Sequence, residues 1–176
     1  MRKYNRHIRD LTEIAIVSAL LCLSALIYIP FAVPITLQTL VLFLSLFSMG
    51  GRRTSIATAV YIALGALGLP VFSGFLGGIA RLFDATGGYI LGMLLGAICF
   101  WLLERLMPDK RPYIAVRAAV SLFVIYLAGA VWYAFVYLGD KSLGCLISVC
   151  VLPFVIPDAI KIYVAYIISK RIPKPV

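Results

Sequence analysis

Apolar residues in this chain gather into long runs divided by short stretches of proline, glycine and charge. The runs cover about residues 11–29, 35–49, 54–69, 87–106, 114–138 and 158–170. The breaks have simple causes. Pro30 and Pro34 stop the first run, because a residue preceding proline avoids helical geometry. Gly50-Gly51-Arg52-Arg53 divides the second from the third, and Pro70 ends the third. A glycine-rich stretch, Val71 to Thr86, precedes the fourth, and the polar turn from Met107 to Pro112 precedes the fifth. Ser142 to Leu152 is apolar but short, and Pro153 and Pro157 limit it. About 20 apolar residues suffice to cross a bilayer as a helix. The pattern therefore predicts an all-α membrane protein, a six-transmembrane-helix bundle forming one integral domain over residues 1–176. A charged start before an apolar run resembles a cleaved signal, but this run is long enough to span and others follow, so it is read as a retained helix.

Composition agrees. The chain has 176 residues, 63% hydrophobic and only 13% charged, with a mean hydropathy of +1.05. Too few polar side chains remain to cover a water-facing surface.

Charge adds the orientation. The formal net charge of +9 raises the question of nucleic acid, but the basic residues lie in small clusters between apolar runs, not on one polar face. With the N-terminus cytoplasmic, the inner segments hold Arg2, Lys3, Arg6, Arg9, Arg52, Arg53, Arg105, Lys110, Arg111, Arg117, Lys170, Arg171 and Lys174, which is 13 of 16 cations. Arg81 and Lys141 fall outside, and Lys161 falls within the sixth helix. Cations mark the cytoplasmic side, so N- and C-termini are both expected there, in the inner (cytoplasmic) membrane.

Few residues carry chemistry. Cys22, Cys99, Cys145 and Cys150 lack paired spacing, and His7 stands alone in the basic tail, so no metal site is expected. No nucleophile with its base, no paired carboxylates and no phosphate-binding GK[ST] occur, so the chain is not expected to be an enzyme or to hydrolyse ATP itself.

What stands out is Asp158 and Lys161. Three residues apart, they share one face of the sixth helix. A charge near the bilayer centre costs at least roughly 2.5–3.5 kcal/mol, and such residues usually face a bundle interior or cavity. The pair either neutralises itself or accepts from and donates to a ligand with both N–H and C=O groups. The Pro70–Tyr89 connection, with Ser73, Arg81, Asp84, Thr86, Gly87 and Gly88, is long for a compact bundle, as binding loops often are. Thr86 is a candidate cap for the fourth helix, whose free N–H groups would suit a carboxylate; the glycines equally suit close helix packing. Thr36 and Gln38 are polar within an apolar run and need partners if buried. Ala15 and Ala19 form a small-xxx-small pair that admits a neighbouring helix.

At these residues the sequence resembles the BioY family, the biotin-specific substrate-binding (S) components of energy-coupling factor (ECF) transporters. The motifs are Ile29-Pro30-Phe31 with Val33-Pro34-Ile35-Thr36-Leu37-Gln38-Thr39-Leu40, then Leu64-Gly65-Ala66-Leu67-Gly68-Leu69-Pro70-Val71-Phe72, Thr86-Gly87-Gly88-Tyr89 with Gly92, and Pro153-Phe154 with Asp158 and Lys161. The resemblance implies high-affinity capture of biotin from outside for uptake. It implies association with a transmembrane coupling subunit and two cytoplasmic ATPase subunits that use ATP, with no cofactor in this chain. An S component of the same fold for another vitamin is the alternative. Asp158 and Lys161 match the pair expected at the ureido ring, and Ala15 and Ala19 match the surface that meets the coupling subunit. The valerate carboxylate would point to the glycine-rich loop, Arg81 or the start of the fourth helix. Two positions depart from the family pattern: Asp84-Ala85 where the family usually has Gly-Pro, and Pro157 where it usually has glycine.

Overall fold

The structure, a computed structural model, describes residues 2–30, 33–108, 110–137 and 151–172. Among them are six α-helices: α1 (Arg2–Leu26), α2 (Gln38–Met49), α3 (Gly51–Ala66), α4 (Gly87–Leu106), α5 (Arg111–Tyr137) and α6 (Leu152–Ser169). Phe31, Lys141, the 142–150 part of the short apolar segment and Lys174 lie outside the described residues.

By length and composition α4, α5 and α6 can cross a membrane. The expectation of six spans is not met on this measure alone, for physical reasons. α1 begins among the charges of the N-terminal tail, α3 has 16 residues, and α2 has 12. Twelve residues of helix reach only about 18 Å. The chain before α2 is extended instead: Tyr28–Ile29 (β1) pairs antiparallel with Ile35–Thr36 (β2), Tyr28 opposite Thr36. α1 therefore ends at Leu26, short of the expected residue 29, and the chain about Pro30 and Pro34 forms a hairpin.

Other boundaries shift too. α3 starts at Gly51, not Thr54, because Gly50 takes a positive φ of 85° and turns the chain at once. A Cβ on Gly51 would lie 2.5 Å from the Trp101 Cα, so glycine lets α3 touch α4. α6 starts at Leu152, not Asp158, and includes Pro157. Pro153 in its first turn forfeits no helical hydrogen bond, whereas Pro157 removes one, just before Asp158.

α2 lies at the centre, touching α1, α3, α4 and α6, while α5 packs along α4. The core includes Leu21, Leu42, Phe43, Leu46, Ala57, Tyr61, Ala97 and Phe100. At one end lie the start of α1, the α2–α3 turn, the end of α4, the start of α5 and the end of α6. There the Arg53 guanidinium donates to Glu13, and the Gly51 N–H donates to Glu104 Oε2 at 2.8 Å. At the other end are the hairpin and the α3–α4 connection.

That connection is built, not slack. Phe72 is buried, stands edge-on to Tyr61 at 5.6 Å between centroids, and fills the space a side chain at Gly65 would take. A 3₁₀ turn, Ile79–Phe83, then leads to α4.

Candidate binding site

Below the hairpin and the α3–α4 connection lies a pocket lined by α2, α3, α4, α5 and α6. It encloses about 600 Å³ between atoms, its open mouth included. Only about 60 Å³ of this admits the centre of a water molecule, so the pocket is a narrow slot. Its apolar wall is Val33, Ile90, Met93, Ile125 and Phe154, and its polar side holds Thr36, Gln38, Thr39, Tyr61, Tyr126, Asp158 and Lys161.

The Asp158–Lys161 pair shares one helical face, as its spacing requires, with Nζ 2.9 Å from Oδ1. Asp158 is 2% exposed. Its carboxylate accepts two further hydrogen bonds, from the Thr39 hydroxyl on Oδ1 at 2.8 Å and from the Tyr126 hydroxyl on Oδ2 at 2.8 Å. Lys161 Nζ also donates to the Thr36 carbonyl at 2.7 Å and to Thr39 Oγ1 at 3.2 Å. The arithmetic of donors and acceptors is informative. An ammonium has three N–H groups, and all three are matched; a carboxylate has about four acceptor positions, and three are matched. A ligand can therefore donate to Asp158 directly. To accept from Lys161 it must displace a partner, and the Thr39 contact, at 3.2 Å, is the longest of the three.

Gln38 is fixed from both sides. Its Nε2 donates to the Tyr61 hydroxyl at 2.7 Å, and its Oε1 accepts from the Thr36 hydroxyl at 3.1 Å. Thr36 thus bonds Gln38 through its side chain and Lys161 through its carbonyl.

The loop candidates divide. Ser73, Thr86 and Tyr89 line the pocket, and the Tyr89 ring lies 5.9 Å from that of Phe154. Arg81 does not line it. It lies in an adjoining cavity of about 680 Å³ between atoms, open mouth included, that shares Pro34, Ser73 and Thr86 with the pocket, and its guanidinium donates to Asp84. The departure at Asp84 therefore supplies the charge that Arg81 meets. Gly87 and Gly88 do not line the pocket either. A Cβ on Gly88 would lie 2.2 Å from Trp132 Cβ, and one on Gly87 would lie 1.8 Å from the Leu82 carbonyl oxygen, so close packing requires both glycines. The Gly87 N–H already donates to the Asp84 carbonyl at 2.9 Å. Thr86 occupies the cap position of α4 but makes no side-chain cap bond, because its backbone is already helical (φ −86°, ψ −14°). Ala15 and Ala19 are on the exposed face of α1, and neither lines the pocket.

Thr39, Tyr61 and Tyr126 were not among the expected site residues. Thr39 had a signal, since it is the third polar residue, after Thr36 and Gln38, at the start of the same apolar run. Tyr126 had none, because a tyrosine within a long apolar helix reads as an ordinary core or interface aromatic.

The BioY family model matches residues 1–176. The chain belongs to the BioY family. It is 40% identical over 167 residues to the biotin transporter BioY of Thermotoga maritima, covering 94% of this chain and 96% of the relative. It is 34% identical to the probable biotin transporter BioY of Pyrococcus horikoshii, covering 93% and 96%. Its fold is similar to a crystal structure of the S-component for biotin from an ECF-type ABC transporter, with a TM-score of 0.83, 26% identity and coverage of 95% of this chain and 92% of that one. BioY proteins are membrane transport components and not enzymes.

Proposed function

We propose that this chain captures biotin for uptake, as the substrate-binding component of an ECF-type transporter. The observation that carries the reading is the buried Asp158–Lys161 pair with acceptor capacity to spare, set against an apolar wall. The ureido ring of biotin offers two N–H donors and one carbonyl acceptor on a largely apolar bicycle. One of its N–H groups would donate to the open position on Asp158, and its carbonyl would accept from Lys161 in place of Thr39. Ile90, Met93, Ile125 and Phe154 would cover the hydrocarbon and sulfur of the rings. The tail would leave through the space at Ser73 and Thr86, reaching Arg81 only by competing with Asp84.

In this reading all six helices cross or line the cytoplasmic membrane, with both chain ends in the cytoplasm; the basic residues gathered at one end of the bundle support that orientation. The chain supplies no ATPase chemistry. Transport then relies on a transmembrane coupling subunit, which meets the exposed Ala15–Ala19 face, and on two cytoplasmic ATPase subunits.

Equilibrium binding of labelled biotin to the detergent-purified chain tests the substrate. Saturable binding is expected; its absence overturns the reading, and saturable binding of a different vitamin moves the chain to that substrate.

A further inference from the structure

α5 and α6 run antiparallel without closing on each other, since α5 packs on α4 and α6 on α2. Between them is a groove of about 910 Å³ between atoms, its open side included, floored by Phe47 of α2. Ala115, Ala118 and Ala119 of α5 face Ala159 of α6 across it, and methyl groups leave depth where leucines would fill it. The groove lies on a membrane-facing side: Tyr163 on its rim is 66% exposed and Phe123, one turn beyond it on α5, is 64% exposed. At one end both walls run into cations. Lys110 precedes α5, and Lys170 and Arg171 follow α6, all exposed. Lys170 Nζ stands 4.3 Å over the ring of Tyr166, which lines the groove.

We propose that the groove holds one acyl chain of an anionic phospholipid, its phosphate among Lys110, Lys170 and Arg171. In a bilayer the groove gains little from apolar burial alone, since every lipid tail is equally apolar. Selectivity must come from the headgroup, and basic pockets between helices at the cytoplasmic face suit anionic ones. Alanines on both walls would also admit a protein helix, but cations confined to one end match a charged head on an apolar tail.

The full chain in detergent is incubated with phosphatidylglycerol or phosphatidylcholine, and retained lipid is counted by native mass spectrometry. One phosphatidylglycerol per chain is expected, retained about tenfold over phosphatidylcholine. Ala119→Phe fills the groove and lowers retention of both lipids. Lys170→Ala with Arg171→Ala removes the preference for phosphatidylglycerol without touching phosphatidylcholine. Gel filtration and helical circular dichroism establish that each variant is folded; if Ala119→Phe is not, the lysine–arginine variant decides alone. Equal retention of the two lipids by the parent chain overturns the proposal, as does parental retention by a folded Ala119→Phe chain. Ala119→Phe that blocks assembly with a membrane partner while keeping its lipid gives the groove to a protein and equally overturns it.

Discussion

Both ends of the bundle hold acid–base clusters of the same side-chain types in different surroundings. At one end Arg53 joins α3 to Glu13 and Asp10 of α1, with side chains 22%, 23% and 45% exposed. At the other, the side chains of Lys161 and Asp158 are 11% and 3% exposed and have Thr36, Thr39 and Tyr126 as partners. Water can solvate the first cluster in either state of its pairing. The second has exchanged water for a fixed set of partners, so it is arranged before any ligand arrives. Preorganised polar groups in a dry setting bind strongly because their desolvation is already spent.

The largest expected difference between the ends comes from removing one charge at each. Lys161→Met strands the Asp158 carboxylate with only Thr39 and Tyr126. Breaking a buried pair this way costs about 3–5 kcal/mol. Biotin binding should fall at least roughly 100-fold, with a clear drop in thermal stability. Pairing it with Asp158→Asn should restore much of the stability and none of the binding. Thermal unfolding and labelled-biotin titration of the three variants read this out; parental binding by Lys161→Met would remove the pair from the site.

Tyr126→Phe is the finer probe. It deletes one hydrogen bond, 2.8 Å long, to a charged acceptor and leaves the ring in place. Such bonds contribute about 1.5–3 kcal/mol, so biotin affinity should drop roughly 10–100-fold. The same titration measures it, and an unchanged dissociation constant would reduce Tyr126 to a bystander.

How much of this was legible in the sequence follows the physics of each residue. Asp158 and Lys161 announce themselves, because charge in an apolar helix needs a reason and spacing fixes their shared face. Gln38 and Thr36 do so for the same reason, more weakly. The hairpin at Tyr28–Thr36 was hidden because two-residue strands carry no periodicity. α6 was cut short at Pro157 because proline ordinarily ends a helix, whereas this one continues through it. Gly87 and Gly88 were ambiguous between ligand approach and packing, and only the position of Trp132 and Leu82 decides for packing. Gly88→Val should accordingly lower stability by about 1–3 kcal/mol through overpacking. Chains that fold should bind biotin with parental affinity, seen by comparing binding stoichiometry with affinity; weakened affinity at full stoichiometry would return Gly88 to the ligand.

The smallest effect belongs to the open cluster. Glu13→Gln leaves Arg53 with Asp10, 3.5 Å away, and removes two partly exposed ion pairs, to Arg53 and to Arg9, each contributing about 0.2–1 kcal/mol. Screening shortens the reach of exposed charges to about 3 Å at 1 M salt. The thermal midpoints of parent and Glu13→Gln should therefore differ slightly at low salt and converge at high salt, while the deficit of Lys161→Met persists at both. Biotin affinity should stay parental throughout. A salt-resistant loss in Glu13→Gln as large as that in Lys161→Met would mean that both clusters are equally shielded, and that the two ends differ in place but not in kind.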